Sequence, residues 1–357
     1  MNTDIQSLEA TANTLVAHGK GILAADETIG TLTKRFQKLN IPSTAESRRD
    51  YRELLFTATD SANFLAGVIM FDETIRQHSS GGAPFPELLL EKGVLPGIKV
   101  DTGAKPLAGS DGENITEGLD GLRDRLREYR SMGARFAKWR AVIRITEQMP
   151  SRMGIKANAH ALGRYAGLCQ EQGLVPIVEP EVLMEGNHTI ERCSEVTGLV
   201  LYTVFNELRE QKILLEGMLL KPNMIIPGTA CAKQSSSTEI AEATLQCLRR
   251  HVPAAVPGVV FLSGGQSDIK ATAHLNEVNA RATGVPWKIT FSYGRALQDT
   301  ALAIWRGNRT NFGAAQQAFF HRAKCNSAAS LGKYTAEMEQ QYTCNVSKLN
   351  DSELEDD

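Results

Sequence analysis

The most unusual residues of this chain are charged side chains that lie inside or directly after short apolar runs. Three of them are lysines, and the full set is Asp26, Lys99, Asp101, Lys138, Arg140, Glu179, Glu181 and Lys221. A charge inside an apolar strand is costly unless it is paired or hydrogen-bonded. Because amines and carboxylates occur together here, we expect them to converge and to neutralise one another.

Amines and acids in this combination indicate carbonyl chemistry. A lysine surrounded by other cations can lose its proton near neutral pH and attack a carbonyl carbon to form a Schiff base. Neighbouring carboxylates can make the proton transfers that this addition, the loss of water and a carbon–carbon cleavage require. Spacing alone leaves Lys99, Lys138 and Lys221 as alternative nucleophiles.

Each of these residues also has a purely structural interpretation. A lone lysine at a strand end usually extends its ammonium into solvent, and a lone glutamate usually caps a helix or forms a structural ion pair. The set as a whole favours function, since chance surface charge would fall equally at both ends of the strands.

Two further segments indicate a phosphate site. Leu262, Ser263, Gly264 and Gly265 follow one apolar run, and a second run ends in Tyr293-Gly294-Arg295. Glycines let backbone N–H groups approach an anion closely, and an arginine adds a bidentate contact. A Ser-Gly-Gly sequence alone is more often only a turn, but the nearby arginine favours a phosphorylated substrate.

A metal-dependent route to the same chemistry would need clustered histidine or carboxylate ligands. The histidines are isolated from one another in sequence, at His18, His78, His160, His188, His251, His274 and His321. Distant histidines can still converge in space, so the sequence disfavours a metal without excluding one. We therefore predict no cofactor.

Eight apolar runs bounded by Gly, Pro or a charge predict the strands that must position these residues. They are 21–25, 65–71, 95–100, 134–139, 174–178, 219–226, 259–262 and 287–293. Helical periodicity lies between most successive runs, and it is clearest at 47–63, 156–172 and 238–250. Beyond the last strand, 298–305 and 312–329 are also predicted helices.

Near-continuous apolar character is typical of parallel strands that are covered on both faces. Eight such units favour a closed (β/α)8 barrel, in which functional residues lie at the carboxyl ends of the strands. The rival is an open doubly wound sheet, whose nucleotide-binding form needs a glycine fingerprint. Gly19, Gly21 and Gly30 do not fit that fingerprint.

Composition excludes several other classes of protein. The 357 residues are 42% hydrophobic and 22% charged, with a net charge of -2, so the basic excess of a nucleic-acid-binding protein is missing. No apolar run approaches the roughly 20 residues that span a bilayer. Six cysteines without paired spacing, and a start that lacks the pattern of a signal peptide, predict a reduced, cytoplasmic protein.

From about residue 20 to about residue 334, the sequence resembles the class I fructose-bisphosphate aldolases. The resemblance rests on GILAADE at 21–27, LPGIKVD at 95–101, FAKWR at 136–140, VEPE at 178–181, LLKPNM at 219–224, FLSGGQS at 261–267 and SYGRAL at 292–297. It implies a single-domain TIM barrel with extra N- and C-terminal helices. It also implies reversible cleavage of fructose 1,6-bisphosphate, and usually a homotetramer.

The resemblance assigns roles that spacing leaves open. It makes Lys221 the Schiff-base lysine, Glu179 the general acid/base and Glu181 an assistant in Schiff-base formation. Asp26 and Lys138 resemble the residues beside the reacting carbons. The remaining residues resemble phosphate contacts: Lys99 and Arg140 far from the ketone, Ser263, Gly264, Gly294 and Arg295 beside it, and Arg35 on a mobile helix.

The end of the chain departs from the family pattern. The family commonly ends in a tyrosine that helps to exchange the enamine proton, whereas this chain ends in Glu355-Asp356-Asp357, and Tyr342 lies in a different context. We predict a barrel domain over 1–334 and a mobile polar tail over 335–357. Slower enamine protonation is the corresponding hypothesis.

Two other functions remain open on the sequence. A similar barrel could act on a sugar monophosphate instead of a bisphosphate. An inactive relative could serve as a binding scaffold, since a fold can outlast its chemistry. The complete charged set argues against the scaffold, because buried charges without a function are expensive to keep.

Overall fold

The computed structural model of the chain describes residues 2–340. Its strands are β1 (Gly21–Ala25), β2 (Leu65–Met70), β3 (Leu95–Lys99), β4 (Gly103–Pro106), β5 (Asn114–Glu117), β6 (Phe136–Ile143), β7 (Val175–Val182), β8 (Leu219–Leu220), β9 (Gly258–Phe261) and β10 (Lys288–Tyr293). Across these residues, eight parallel strands close a barrel in the order β1-β10-β9-β8-β7-β6-β3-β2. The predicted barrel is confirmed.

Helices surround the barrel. They are α1 (Asn2–Leu15), α2 (Ile29–Gln37), α3 (Ala45–Thr57), α4 (Asp72–Ile75), α5 (Phe85–Glu91), α6 (Leu122–Ser131), α7 (Arg152–Glu171), α8 (Ile190–Glu210), α9 (Ser237–His251), α10 (Asp268–Arg281), α11 (Arg295–Trp305) and α12 (Phe312–Ser330). α9 begins with a capping box, in which the side chains of Ser236 and Glu239 each accept from the other's backbone N–H. None of the helices within residues 2–340 is long and apolar enough to cross a bilayer.

The barrel interior is filled by apolar side chains, and α1 closes its amino end. Phe136 lies against the backbone of Gly97, where a Cβ would come within 2.3 Å of the ring. Below it, Leu8 and Leu15 of α1 join the cluster of buried residues inside the barrel. The interior is therefore solid at the bottom, and open space remains at the carboxyl ends of the strands.

β6 and β7 extend beyond their predicted ends at 139 and 178. Their ladder pairs Arg140 with Glu179 and Val142 with Glu181. The prediction ended these strands just before Arg140 and Glu179, but both charged residues continue the ladder between β6 and β7. Lys138 and Arg140 are two residues apart, so they share one face of β6.

The sixth predicted run, 219–226, is much shorter as a strand, since β8 contains only Leu219–Leu220. Proline at 222 has no N–H to donate, which interrupts the ladder. The chain still follows the barrel wall, because Lys221 N donates to Val178 O at 2.8 Å and Pro222 O accepts from Leu262 N at 3.1 Å. Lys221 is thereby held at the inner wall.

An antiparallel hairpin of β4 and β5, which the sequence analysis missed, covers one side of the barrel mouth.

Near the end of the described chain, Glu339 accepts from Arg322 Nη1 at 2.7 Å and from Tyr334 OH at 2.8 Å. The first residues of the predicted tail 335–357 thus contact the barrel, and Tyr342 and the acidic end lie outside the described residues.

Candidate active site

All the residues predicted to form the site line one cavity of about 730 Å³ at the carboxyl ends of the strands. They are Asp26, Arg35, Lys99, Lys138, Arg140, Glu179, Glu181, Lys221, Ser263, Gly264, Gly294 and Arg295. They come from strands or strand-end loops all around the barrel, with Arg35 supplied by α2. The structure brings the predicted set together, and the role of each member stays a prediction.

A chain of ion pairs crosses the floor of the cavity. Lys138 Nζ lies 2.6 Å from Asp26 Oδ2 and 3.3 Å from Glu179 Oε2. The other oxygen of Glu179, Oε1, lies 3.2 Å from Lys221 Nζ. Lys138 is 4% exposed, and Glu179 and Lys221 are each 3% exposed. Two carboxylates and two amines therefore alternate in a buried row, in the order Asp26, Lys138, Glu179, Lys221.

The ion pairs of the row set the protonation of Asp26, Glu179 and Lys138. Burial opposes the charge of Asp26, but Lys138, Lys221 and Lys99 outweigh it and lower the pKa of Asp26 to about 2. Burial likewise opposes the charge of Glu179, and Lys138 and Lys221 lower its pKa below the ordinary range. For Lys138, burial is outweighed by Asp26 and Glu179, which raise its pKa. Both acids are ionised at neutral pH, and Lys138 is charged.

One oxygen of Glu179 is available for proton transfer. Glu179 Oε2 is buried and makes no hydrogen bond within residues 2–340, although the charge of Lys138 lies nearby. Its lone pairs can accept a proton from a molecule in the cavity.

The three candidate nucleophiles differ in how tightly they are held. Lys138 contacts two carboxylates. Lys99 Nζ donates to the carboxylate of Asp101 and, at 2.7 Å, to its backbone carbonyl. For Lys221, the ion pair found in the described chain is with Glu179 at 3.2 Å. Lys221 therefore has fewer close acceptors than Lys138 or Lys99, which leaves its amine the freest of the three to approach a carbonyl carbon.

One side of the mouth carries Lys99 and Arg140. The carboxylate of Asp101 orients this side, since it accepts from Lys99 and from the backbone N of Arg140 at 3.3 Å. Glu181 pairs with Arg140 Nε, and burial of Arg140 is outweighed by this carboxylate, which raises the pKa of Arg140. The Arg140 side chain remains 42% exposed, so it still presents N–H groups to the cavity.

The other side of the mouth is built from backbone. Gly264 and Gly265 have φ values of +59° and +88°, which side-chain-bearing residues rarely adopt. A Cβ at Gly265 would lie 3.3 Å from Arg295 Nη2, so the turn and the arginine adjoin. Arg295 also opens α11, whose N-cap Gly294 supplies no side-chain cap. Exposed N–H groups at a helix N-terminus favour an anion.

Arg35 reaches the cavity from the last turn of α2. Its guanidinium pairs with Glu27, and its Nη2 lies 2.8 Å from Asp299 Oδ1. Glu27 also accepts from the buried Arg52 at 2.9 Å. Arg35 is therefore held by acidic neighbours in this structure.

Several residues at or beside the site were given no role in the sequence analysis. Asp101 was noted at its strand end without a role, and Glu27 directly follows Asp26 in the GILAADE motif. Ser292 lines the cavity from β10. Gln298 contacts Arg35 from α11, at 3.2 Å. The first three adjoin predicted residues in sequence, but nothing in the sequence indicates Gln298.

Of the histidines, His321 lies beside two other residues of types that can bind a metal ion. His321, Cys325 and Glu339 place their potential ligand atoms within 4.8 Å of one another. However, Arg322 Nη1 lies 2.7 Å from both oxygens of Glu339, and a guanidinium repels a metal ion. Burial raises the pKa of the Cys325 thiol to about 12, which opposes the thiolate that a metal needs. The arrangement is better explained as a set of hydrogen bonds that holds Glu339 in place.

Known proteins of one family match nearly the whole chain. The family model described as "Fructose-bisphosphate aldolase class-I" matches residues 7–352. The chain belongs to the class I fructose-bisphosphate aldolase family. A relative in Xylella fastidiosa, called "Probable fructose-bisphosphate aldolase class 1", is 56% identical over 331 residues, covering 92% of this chain and 99% of that protein.

Other fructose-bisphosphate aldolases match over similar lengths. Fructose-bisphosphate aldolase C of Rattus norvegicus is 52% identical over 321 residues, covering 90% of this chain and 88% of that protein. The solved structure of the Plasmodium falciparum aldolase, in a ternary complex with TRAP and a small molecule inhibitor, superposes with a TM-score of 0.93 at 46% identity. That match covers 94% of this chain and 97% of the other. The TIM-barrel fold and the resemblance found in the sequence are confirmed.

Proposed function

We propose that this chain performs the reaction of its family, the reversible aldol cleavage of fructose 1,6-bisphosphate in glycolysis and gluconeogenesis, with Lys221 as the nucleophile. The products are dihydroxyacetone phosphate and glyceraldehyde 3-phosphate. The observation that carries the assignment is the buried row in which Lys221 Nζ lies 3.2 Å from Glu179 Oε1. An amine beside a carboxylate can give up its proton and accept it back during the reaction.

The reaction begins when the uncharged amine of Lys221 adds to the ketone carbon. Loss of water from the carbinolamine gives an iminium, and Glu179, with Glu181 as its assistant, moves the protons. Removal of the C4 hydroxyl proton then breaks the C3–C4 bond, and the bonding electrons move to the iminium nitrogen. Glyceraldehyde 3-phosphate leaves, and an enamine remains on Lys221.

The second half of the reaction releases the remaining product and regenerates the free amine of Lys221. Protonation of the enamine at C3 regenerates the iminium, and water hydrolyses it to dihydroxyacetone phosphate and free Lys221. We assign Asp26 and Lys138 to the space beside C3 and C4, because they form the far end of the row. Lys138 keeps its charge there and stabilises the alkoxide that forms at C4.

The two phosphates are assigned to opposite sides of the mouth. Lys99 and Arg140 take the phosphate far from the ketone. Ser263, Gly264, Gly294 and Arg295 take the phosphate beside it, and Arg35 joins them when the anion draws it from Glu27. Cations on both sides support a bisphosphate over a monophosphate.

Borohydride trapping tests the assignment. Dihydroxyacetone phosphate is added with sodium borohydride in the presence of a chelator, and the labelled lysine is located by peptide mass mapping. Hydride addition to the iminium carbon should leave a stable secondary amine on Lys221. A label on Lys99 or Lys138 instead would reject Lys221 as nucleophile, and an unlabelled protein would favour the binding-scaffold alternative.

Arg140→Ala should distinguish a bisphosphate from a monophosphate enzyme. Loss of the charged contact is expected to lower kcat/KM for fructose 1,6-bisphosphate by about 100-fold, since hydrogen bonds to charged groups contribute about 1.5–3 kcal/mol. Fructose 1-phosphate lacks the second phosphate, so its kcat/KM should fall by less than about fivefold. Steady-state kinetics with both sugars measures this, and equal losses would contradict the assignment.

We further propose a cytoplasmic homotetramer, as is typical of the family. In the described chain, Cys169, Cys193, Cys231, Cys247 and Cys325 are free thiols, which supports a reducing compartment. Leu199 and Tyr202 of α8 are 45% and 60% exposed and lie three residues apart on one helix face, where a subunit contact would cover them. Sedimentation equilibrium will separate a tetramer from the 39.0 kDa monomer.

A further inference from the structure

Gln298 is completely buried behind the wall of the cavity, one helical turn beyond Arg295. Its Nε2 donates to the backbone carbonyl of Ala24 at 2.6 Å. Its Oε1 accepts from Tyr51 OH at 3.0 Å and from Arg35 Nη1 at 3.2 Å. One neutral side chain thus joins β1, α3 and the arginine of α2.

These partners fix the orientation of the amide and explain why the residue at this position is a glutamine. A backbone carbonyl only accepts and a guanidinium only donates, so the NH2 of Gln298 must face Ala24 and its oxygen must face Arg35. Glutamate would lack the donor, and an apolar residue would lack both groups. A buried amide is the group that satisfies all three neighbours without adding charge.

The contact with Ala24 links two parts of the site. Ala24 lies two residues before Asp26, and a Cβ at Gly294 would come within 3.2 Å of the same carbonyl oxygen. Gln298 N also donates to Gly294 O at 3.1 Å. The end of β1 and the start of α11 are therefore packed together where Gln298 binds.

The contact with Arg35 differs from the other contacts of this arginine. Glu27 and Asp299 are acidic, and an incoming phosphate competes with them for the guanidinium. Gln298 carries no charge, so a phosphate does not repel it. The amide can keep its hydrogen bond while the carboxylates are displaced.

We propose that Gln298 is a positioning residue, which holds Arg35 in place for the phosphate beside the substrate ketone. This inference rests on the proposed function, which assigns Arg35, Gly294 and Arg295 to that phosphate. Gln298 lies outside the residues that line the cavity and acts through Arg35.

A double-mutant cycle tests the inference. Gln298→Met keeps the length of the side chain and removes its hydrogen bonds. It is expected to raise KM about tenfold for both fructose 1,6-bisphosphate and fructose 1-phosphate, because both carry the phosphate at C1, and to lower kcat by less than about threefold. With Arg35→Ala already present, Gln298→Met should change KM by less than about twofold.

Gln316→Met is the matched control. Gln316 of α12 also packs against α3, and its Nε2 donates to Leu54 O at 3.0 Å and to Thr57 Oγ1 at 2.9 Å. Its replacement should leave KM unchanged for both sugars. If Gln298→Met does not fold, Gln298→Glu takes its place in the cycle. That carboxylate pairs with Arg35, cannot donate to Ala24, and is expected to raise KM in the same way.

The outcomes separate this inference from the proposed function. An unchanged KM in the Gln298 variant that folds, a rise that Gln316→Met reproduces, or an effect that persists without Arg35 would overturn the positioning role. Borohydride trapping of the wild type decides the proposed function independently. If Lys221 is labelled and KM is unaffected by Gln298 substitution, the positioning role alone is wrong.

Discussion

Replacing Lys221 with methionine is expected to lower kcat for fructose 1,6-bisphosphate by at least about 10⁴-fold, because the covalent route needs the amine. Methionine approximates the length of the side chain, and Lys221 is only 3% exposed, so the barrel wall should remain packed. Turnover is measured with a coupled assay, and covalent labelling by borohydride and dihydroxyacetone phosphate should disappear with it.

Lys105→Met provides the control for this substitution. Lys105 is an exposed lysine of β4, in the hairpin beside the mouth. Its loss should leave turnover and labelling intact. Substantial turnover in Lys221→Met, or a lysine elsewhere that remains labelled, would move the nucleophile to Lys99 or Lys138.

Lys138→Met should have the second-largest effect. The substitution leaves Asp26 and Glu179 buried without the cation they share, and it removes the charge beside C4. We expect kcat to fall by about 10³-fold, within the range usual for a group that moves or stabilises a proton. The pKa of each carboxyl should rise toward its ordinary range or above, because burial is then less opposed.

The pH dependence of stability follows from the sign of these shifts. In the wild type, the pKa of Asp26 is lowered from 3.8 to about 2, so ionised Asp26 stabilises the fold above about pH 4. That contribution is lost as the pH falls through about 2. With Lys138→Met, acid unfolding followed by circular dichroism should move to higher pH.

Lys138→Arg is the matched variant for this test. It keeps a positive charge in the row, so it should retain the acid stability of the wild type better than methionine does. Its larger planar head differs in shape, and kcat should still fall. If methionine and arginine unfold at the same pH, the ion pairs of Lys138 do not set the pKa of Asp26.

The sequence predicted the barrel well because parallel strands bury both faces and therefore show as apolar runs. It misplaced strand ends where that signal failed. Lys138 and Arg140 are charged residues inside β6, and Pro222 interrupts an apolar run just beyond β8. Charge and proline mark ends only on average, whereas hydrogen bonds to neighbouring strands decide the actual pairing.

Prediction of the site residues from the sequence was limited in a similar way. Strand-end charges predicted Lys221, Glu179 and Asp26 because unusual residue types stand out in a strand. The contact of Gln298 with Arg35 joins residues 263 positions apart, and a lone glutamine on a helix has no sequence signature. Such partners are set by the packing of α11 against β1 and α3, which local patterns do not encode.

The closed amino end of the barrel has a consequence for the path of substrate and products. Leu8 and Leu15 of α1 close that end within residues 2–340. Substrate therefore enters the cavity, and products leave it, through the opening at the carboxyl ends of the strands. Under the proposed mechanism, the aldehyde fragment leaves first, because the other three carbons are still bound to Lys221. Both fragments therefore leave through the same mouth, and the proposed covalent chemistry sets their order.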